Sequence, residues 1–351
     1  MISEVLSRVE TLIHVFRDVC YEWEEETAKY FNVPIRQIIA TTQPSRKINS
    51  QVKNAKNFIK KLFPIIIRLR REIIYPALKQ DLRDKVAICF VMFPGEMSIC
   101  VGNNCIPIFL DVWSDQEIQE IIRRTRKLKI FYVTSRDVYN RIKSISRYNN
   151  VYYMPLSIAD KYYSPNFEAY RDKKIDVIQI GRINPMLHEY MLKYVSEHET
   201  IDYVYSDNGT NSRNKYISTL RGKLEQITDR REFMKTLASA KVSLLGCSGI
   251  DNARENTFGI CFPTPRFYES AILGCVLIGR YPENQEFTEL NMKKYCPNIT
   301  SYESFVEALE KALAITPEEL YAQNHDFIIN SLTSKRAEQI KHDLEEIISN
   351  A

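Results

Sequence analysis

The 351-residue sequence lacks several features that would assign it to a class at once. No apolar run approaches the roughly 20 residues that span a bilayer. The first residues lack the basic segment and apolar stretch of a secretory signal peptide. There is no repeat of solenoid period and no low-complexity segment. We therefore expect a globular protein of the cytoplasm, not an exported, integral membrane or repeat protein.

The sequence also lacks any C-x-x-C pair, although it contains eight cysteines. Most of the cysteines lie in apolar runs, where a free thiol behaves as a small core residue. Such a pattern fits neither a disulfide framework nor a zinc site. We expect buried, reduced thiols throughout.

A strong net charge is absent as well, since 48 Lys and Arg residues nearly balance 44 Asp and Glu residues. The resulting net charge of +4 is too small to indicate nucleic-acid binding, and no nucleic-acid-binding motif accompanies it. Basic residues are concentrated at 52–71 and 123–129. A basic amphipathic segment can lie on an anionic membrane surface. The alternative for 52–71 is an ordinary helix whose Lys and Arg stems cover the core.

Short apolar runs alternate with segments of helical period along the chain. We predict strands at 11–16, 35–41, 85–93, 106–113, 129–135, 151–156, 175–181, 201–206, 241–246 and 275–278, and a long helical stretch at 50–79. Strands separated by helices predict parallel sheets.

A polar, Tyr-rich stretch without period divides this alternation in two, and we interpret 161–174 as a linker. The predicted fold class is therefore α/β, with two Rossmann-like, doubly wound domains facing a cleft. These domains would comprise residues 1–160 and 175–351, with the last helix free to return to the first domain. Ligands of such sheets bind at the carboxyl ends of the strands.

Glu269 is an unexpected carboxylate in a short, apolar helix. Thr264 suits the N-cap of that helix and Pro265 its first position. Arg266 shares one side of the helix with Glu269. The helix N-terminus suits phosphate, and a carboxylate can accept hydrogen bonds from the two ribose hydroxyls. A local ion pair between Arg266 and Glu269 is the alternative.

Two glycine-containing turns follow predicted strands of the second half. Gly181 and Arg182 follow one strand, and a loop with Gly246, Ser248 and Gly249 follows another. Glycine lets the backbone approach a ligand closely, and arginine pairs well with phosphate oxygens. We predict that these turns and the Glu269 helix surround one crevice.

The order of these segments resembles the C-terminal half of GT-B glycosyltransferases of the family 1 or family 4 type. It is closest to the branch related to bacterial spore-maturation proteins, through the element R-F-x-E-x-x-x-x-G at residues 266–274. The likeness covers about residues 174 to 313. It implies a nucleotide-sugar donor, with Glu269 on the ribose and Arg182 and Arg266 on the diphosphate. Arg231 lies near the position that in this family edges the base, and it is a further donor-binding candidate.

The sequence departs from that family at one position. Many retaining members carry two glutamates separated by seven residues, but here Cys261 occupies the partner position of Glu269. Glu255 is too far away to replace it. The anomeric outcome therefore stays open.

The first domain should bind the acceptor and supply a general base. Asp111 ends an apolar run and is the first candidate, although it can instead cap the helix near Ser114. Glu96, in a Pro-Gly turn after another strand, is its rival. His14 and His188 are further rivals, and we interpret His188 as structural.

Together, the resemblance predicts transfer of a sugar from a nucleotide-sugar donor to a hydroxyl of a glycan or lipid-linked glycan, in polysaccharide biosynthesis. No Asp-x-Asp element occurs, and backbone N–H groups and arginine would hold the diphosphate, so we expect no metal and no cofactor. The protein would reach the inner face of the membrane if 52–71 binds lipid. The alternatives are a nucleotide-sugar epimerase of the same fold and a non-catalytic member that binds a nucleotide or glycan.

Overall fold

The computed structural model describes the chain except for residues 1, 10–14, 40–79, 93, 101–103, 146–148, 167–169, 208–214, 228, 252–256 and 351. The first half comprises β1 (Ile2–Val9), α1 (Val15–Phe31), β2 (Ile35–Ile39), β3 (Val86–Val91), β4 (Cys105–Phe109), α2 (Asp115–Thr125), β5 (Phe131–Val133), α3 (Arg136–Lys143) and β6 (Val151–Tyr153). Short 3-10 helices occupy Pro94–Cys100 and Asp160–Tyr162.

The second half begins with β7 (Ile175–Gln179), α4 (Pro185–Glu197), β8 (Tyr203–Ser206), β9 (Tyr216–Ser218), β10 (Gly222–Lys223), α5 (Arg230–Ala238), β11 (Ala240–Gly246), α6 (Pro265–Ile272) and β12 (Val276–Arg280). It ends with α7 (Gln285–Glu289), α8 (Met292–Tyr295), α9 (Tyr302–Ala314), α10 (Pro317–Asn330) and α11 (Thr333–Ser349).

Each half is built around one six-stranded sheet. The first has the order β2-β1-β3-β4-β5-β6, and its neighbouring strands are parallel. The second has the order β10-β9-β8-β7-β11-β12 and is parallel except at β8–β9 and β9–β10. The prediction of two doubly wound α/β units is confirmed. The strand order reverses between β1 and β3 and between β7 and β11, which is where such sheets bind ligands.

The central strands are buried along their whole length. Every residue of β3 and of β4 is buried. Helices cover both faces of a parallel sheet of this kind, so its strands read as continuous apolar runs. For this reason the predicted strands at 85–93 and 106–113 coincide with β3 and β4.

The predicted strand at 11–16 is wrong where the structure describes it, because α1 begins at Val15. Residues 11–14 lie outside the described residues. Val19 and Trp23, four residues apart, are both buried. That spacing places them on one face of a helix. The first strand lies earlier, at β1.

Helix α11 returns from the end of the second half to the first half. Its Thr333 hydroxyl lies 3.1 Å from the Ser157 hydroxyl, and Gln339 Nε2 donates to the carbonyl of Tyr153 at 2.9 Å. Tyr132 of β5 donates its hydroxyl to Asp343 Oδ2 at 2.9 Å. All strands of the first sheet precede residue 161, and all strands of the second sheet follow residue 174. The domain limits 1–160 and 175–351 themselves stay a prediction.

Cys247 and Cys261 are joined in a disulfide, so the prediction of reduced thiols is wrong for this pair. Their Cα atoms lie 6.0 Å apart, within the range that a disulfide can span. The two segments run side by side, since a Cβ on Gly249 would lie 2.8 Å from the Ile260 carbonyl oxygen. The other six cysteines are buried thiols, as predicted.

Of the helices that the structure describes, none is both long enough and apolar enough to cross a membrane. The basic stretch 52–71, the predicted helical stretch 50–79 and His14 lie outside the described residues.

Candidate active site

Two adjoining cavities lie at the carboxyl ends of the strands, between the two sheets. The larger, of about 320 Å³, is lined by Asp111 from the first half and by Arg182 and Ser248 from the second. The smaller, of about 90 Å³, is lined by Gly181, Arg182, Gly246 and Arg266. The two cavities share four lining residues, which are Val19, Arg182, Thr264 and Pro265. The structure thus brings together most of the site residues predicted from separate segments.

The turn after β7 depends on a glycine. Gly181 has φ +87°, in the left-handed region that side chains other than glycine rarely adopt. Its N–H donates to the Ser206 hydroxyl at 2.9 Å. A Cβ at this position would lie 3.3 Å from Arg266 Nε. Glycine therefore lets the Arg266 side chain lie against the turn.

Arg182 connects the two glycine-containing turns. Its Nη1 donates to the hydroxyl of Ser248 in the loop after β11. Both side chains line the larger cavity. This contact places a guanidinium and a hydroxyl where an anionic ligand group can receive hydrogen bonds from both.

Gly246 allows β11 to approach the start of α4. A Cβ on Gly246 would lie 2.7 Å from the Cβ of Asn184. Asn184 is the N-cap of α4, and its side-chain oxygen accepts the N–H of Leu187 at 3.0 Å. Its amide nitrogen donates to Asp251 Oδ2 at 3.0 Å. Gly249, by contrast, lines neither cavity and packs against the Ile260 backbone.

Glu269 lies behind the smaller cavity and is fully buried. One carboxylate oxygen accepts Arg230 Nη1 at 2.6 Å, and the other accepts Arg266 Nη1. Burial would raise the pKa of Glu269, but Arg266 and Arg230 outweigh it and hold this pKa below its ordinary value. The carboxylate is therefore ionised and orients Arg266, whose guanidinium lies 4.0 Å from the ring centre of Phe233.

Arg230 is a site residue that the sequence reasoning missed. Its Nη2 lies 3.1 Å from Glu22 Oε2 of α1, so it connects Glu269 to the first half. Arg231, the predicted candidate, is exposed and lines neither cavity. Helix α5 buries Arg230, Phe233, Met234 and Leu237. This i, i+3, i+4, i+7 spacing is visible in the sequence and favours Arg230 as the inward-facing residue.

Asp111 lines the larger cavity, as do Arg182 and Ser248. Its Oδ1 accepts a hydrogen bond from Trp113 Nε1, and its N–H donates to the Met92 carbonyl at 2.8 Å. It does not cap α2, because Ser114 and Glu117 form a complete capping box there. Ser114, not Asp111, therefore caps this helix.

Glu96 lies at a different place, in the 3-10 helix after β3, and lines neither cavity. It is almost fully buried; its Oε1 accepts Arg8 Nη1 at 2.7 Å and its Oε2 accepts the Met92 N–H at 2.9 Å. In this position it fixes the end of β3 and supports the segment that carries Met92. Asp111, not Glu96, is the carboxylate that lines the cavity.

Aromatic and aliphatic side chains form much of the larger cavity's wall, and the sequence reasoning did not single them out. Trp113 of the first half stacks on Phe262 of the second with ring centres 4.6 Å apart. Trp23 donates its Nε1 to the Ser157 carbonyl at 3.0 Å and also lines the cavity. No spacing in the sequence distinguishes these residues from ordinary core residues.

His188 lines neither cavity, consistent with its interpretation as structural. Its Nδ1 lies 2.9 Å from the Tyr203 hydroxyl, and burial lowers its pKa. Among the described residues, no group of three His, Cys, Asp or Glu side chains is placed to hold a metal ion. Metal independence itself stays a prediction.

No model of a known protein family matches the sequence, and no curated protein is similar to it in sequence. Solved structures do match. A trehalose-6-phosphate synthase is 12% identical with a TM-score of 0.53, covering 98% of this chain and 99% of that chain.

The N-terminal domain of the Candida albicans trehalose-6-phosphate phosphatase is 10% identical with a TM-score of 0.53, covering 98% of this chain and 89% of that one. A chain of a GtfA/B complex is 12% identical with a TM-score of 0.47; the match covers 80% of this chain and 60% of that chain, and it is too loose to support an inference. At such identities the likeness establishes the fold alone. The chain has the two-domain GT-B fold that its sequence resemblance predicted.

Proposed function

We propose that this protein is a glycosyltransferase that moves a sugar from a nucleotide-sugar donor to a hydroxyl of a glycan or lipid-linked glycan. One observation carries the proposal: a carboxylate from the first half and an arginine-rich wall from the second line adjoining cavities between the sheets. A transferase that uses a general base needs both groups, because it must accept a proton from one substrate and stabilise negative charge on the other.

The second half would bind the donor. Arg182 and Arg266 supply guanidinium groups beside the N-terminus of α6, where Thr264 and Pro265 line both cavities. The free N–H groups of a helix N-terminus favour a phosphate group. Glu269 would either accept the ribose hydroxyls after one of its arginines moves, or act only by orienting Arg266. Gly249 and Arg231 remain weaker donor-binding candidates, since they line neither cavity.

The first half would bind the acceptor beside Asp111. Trp23, Met92, Leu110 and Leu156 line the same cavity and offer apolar contact to one face of a sugar ring. In the reaction, the acceptor oxygen forms a bond to the anomeric carbon, and its proton passes to the Asp111 carboxylate. The bond from that carbon to the diphosphate breaks, and its electron pair remains on the leaving diphosphate. Arg182 and Arg266 would stabilise the charge that develops there.

The test is incubation of the full chain with nucleotide sugars that carry different bases, with and without a glycan and lipid extract. We expect nucleoside diphosphate release that depends on the extract, together with a product whose mass has increased by one sugar. Asp111→Asn should abolish transfer while donor binding persists in calorimetry. Asp115→Asn, a matched change at an exposed position of α2, should leave transfer unchanged.

Two results would contradict the proposal. Conversion of the nucleotide sugar to an isomer without an acceptor would indicate the epimerase alternative. Binding of a nucleotide or glycan, with no product formed from any of the donors, would indicate the non-catalytic alternative.

Chelation of divalent ions should leave transfer intact, because arginine and backbone N–H groups are expected to hold the diphosphate.

Membrane association through 52–71 stays a prediction from the sequence alone. Reversing the charge at Lys60, Lys61, Arg70 and Arg71 should reduce sedimentation with anionic liposomes, because about 1 kcal/mol per basic residue favours binding near such a surface. The same reversal at Lys174, Lys223, Lys235 and Lys341, four exposed positions outside both basic stretches, is the control. Sedimentation that does not change would remove the membrane from the proposal.

A further inference from the structure

A third cavity, of about 500 Å³, lies away from the candidate active site. Helix α3, strand β6 and helix α11 form its walls, and its lining residues differ from those of the two cleft cavities. Its volume falls in the range of sites for small organic molecules. Because α3 and β6 precede the second sheet and α11 follows it, a ligand here would contact segments distant in sequence.

The cavity wall carries positive charge. Arg136 and Lys143 come from the two ends of α3, and Arg336 comes from α11. None of the described residues that line the cavity is Asp or Glu. The side-chain amides of Asn149 and Gln339 complete the polar part of the lining.

Arg336 has only neutral partners among the described residues. Its Nη2 donates to the carbonyl oxygens of Asn330 at 2.9 Å and Leu156 at 3.4 Å. Its Nε is buried without a hydrogen-bond partner in the described structure. Burial lowers the pKa of Arg336, as expected for a cation that no nearby carboxylate compensates.

Lys143 also has no carboxylate within ion-pair distance among the described residues, and its ammonium lies 6.0 Å from the ring centre of Tyr139. Arg136 differs, because its Nε donates to Glu289 Oε2 at 2.8 Å and its guanidinium lies 3.7 Å from the ring centre of Tyr153. The uncompensated charge of the cavity therefore resides on Lys143 and Arg336.

No described acid forms an ion pair with Lys143 or Arg336, although acids lie near the cavity. Glu286 accepts the backbone N–H of Arg136 at 2.8 Å, but burial raises the pKa of Glu286 to about 8, so it is largely neutral at pH 7. Burial raises the pKa of Tyr152, and the negative charges of Asp343 and Glu346 on α11 raise it further, but neither acid lines the cavity.

The tyrosines of the wall offer flat apolar surfaces beside these cations. Tyr139, Tyr152 and Tyr153 all line the cavity, although Arg136 covers one face of the Tyr153 ring. Aromatic rings commonly contact the apolar face of a cyclic ligand. The cavity also has far more room than a lone phosphate ion needs.

We propose that this cavity binds an anionic sugar, with its phosphate or carboxylate between Lys143 and Arg336 and its ring against the tyrosines. The site is separate from the cleft and does not depend on the proposed transferase activity. Its ligand would connect α3 to α11 and so stabilise the return of the chain to the first half.

The test is titration calorimetry of the full chain carrying Arg182→Gln, which removes an arginine from the cleft. The probes are glucose 1-phosphate, glucuronate, inorganic phosphate and glucose. We expect binding of one or both anionic sugars and none of glucose; which of the two binds distinguishes phosphate from carboxylate recognition. Lys143→Gln and Arg336→Gln should each weaken binding about tenfold, which corresponds to about 1.4 kcal/mol.

Lys341→Gln is the matched control, because it removes one charge from an exposed position of α11 that does not line the cavity. Equal loss of affinity in this control, or unchanged affinity in Lys143→Gln, would overturn the proposal. Binding of inorganic phosphate as tight as that of glucose 1-phosphate would overturn the part assigned to the tyrosines. Since Lys143 is only partly buried, its variant tests the site even if Arg336→Gln impairs folding.

Discussion

At the scale of single residues, Glu269 is fully buried and accepts hydrogen bonds from two guanidinium groups, those of Arg230 and Arg266. The local ion pair with Arg266 is present in the structure, as one interpretation of the sequence required. The other interpretation, a ribose ligand, now requires Arg266 or Arg230 to leave the carboxylate when the donor binds. In either case the first measurable consequence of removing the charge concerns stability, because the partly buried Arg266 and the buried Arg230 both lose a carboxylate partner, and Arg230 keeps only its contact with Glu22.

We expect Glu269→Gln to lower the free energy of unfolding by about 3 kcal/mol, since breaking a buried ion pair leaves an uncompensated charge. The pKa of Glu269 is depressed in the folded state, so its contribution is present above the unfolded pKa and is lost as pH falls through the folded one. The variant should therefore lose less stability on acidification than the wild type.

Urea denaturation at a series of pH values measures this effect, and Glu225→Gln, at an exposed position, is the control. Unchanged stability with weakened nucleotide binding would instead assign Glu269 to the ribose alone.

Arg182→Gln should weaken binding of a nucleoside diphosphate about tenfold or more, because hydrogen bonds to charged groups contribute about 1.5–3 kcal/mol. Arg182 is exposed, so folding should be little affected by the change. Calorimetry measures the affinity, and Lys235→Gln on the exposed side of α5 is the control. Equal affinities for the two variants would remove Arg182 from the donor site.

The sequence allowed prediction of residues that line the cleft where a turn directly follows the end of a strand. Arg182, Gly246 and Asp111 were identified in this way, and each lines a cavity of the cleft. Arg230 and Trp113 were not. The spacing of α5 indicates that Arg230 faces inward, but the contacts with the other half, to Glu22 and to Phe262, are not visible in the sequence. A pattern of neighbours along the chain does not contain contacts of that kind.

At the scale of elements, β11 and α4 are held together at one close contact. Gly246 lies at the end of β11 and Asn184 at the N-cap of α4, and both belong to the turns that surround the smaller cavity. The strands and helices that meet here were predicted because they alternate as apolar and amphipathic segments. The pair β9 and β10 was missed, since strands of three and two residues carry no readable period.

Gly246→Ala should destabilise the protein by about 1–3 kcal/mol, because the added methyl group overlaps the Cβ of Asn184. Adding Asn184→Gly removes that Cβ, and glycine is tolerated at an N-cap. We expect the double variant to recover part of the stability that Gly246→Ala loses, measured by chemical denaturation. Purely additive losses would show that overlap between these two positions is not the cause.

At the scale of the whole molecule, side-chain contacts outside the cleft also join the two halves. Glu286 of α7 accepts the N–H of Arg136 of α3, and Arg136 also pairs with Glu289. The fold class could be predicted from the sequence because two runs of alternating segments repeat the same arrangement. The relative placement of the halves could not, since it rests on such single contacts.

The contribution of Glu286 to the free energy of unfolding should fall as pH rises from about 4.5 towards 8. Burial raises the pKa of Glu286 to about 8, so the folded state keeps a proton that the unfolded state has released. Glu286→Gln retains an oxygen for the Arg136 N–H and should flatten this part of the pH profile. Thermal unfolding from pH 5 to 9 measures it, with Glu283→Gln, an exposed position, as the control. An unchanged slope would contradict the raised pKa.

Helix α11 has a consequence for the order in which this protein can be made. The ribosome produces β5 and β6 first, yet Tyr132 and Tyr153 find partners in Asp343 and Gln339, which are translated after the entire second sheet. Domains usually begin to fold as soon as they emerge during synthesis. Here the first half lacks its contacts with residues 333–349 until they emerge, so a nascent chain that stalls before them would present an uncovered wall beside β6 to chaperones and proteases.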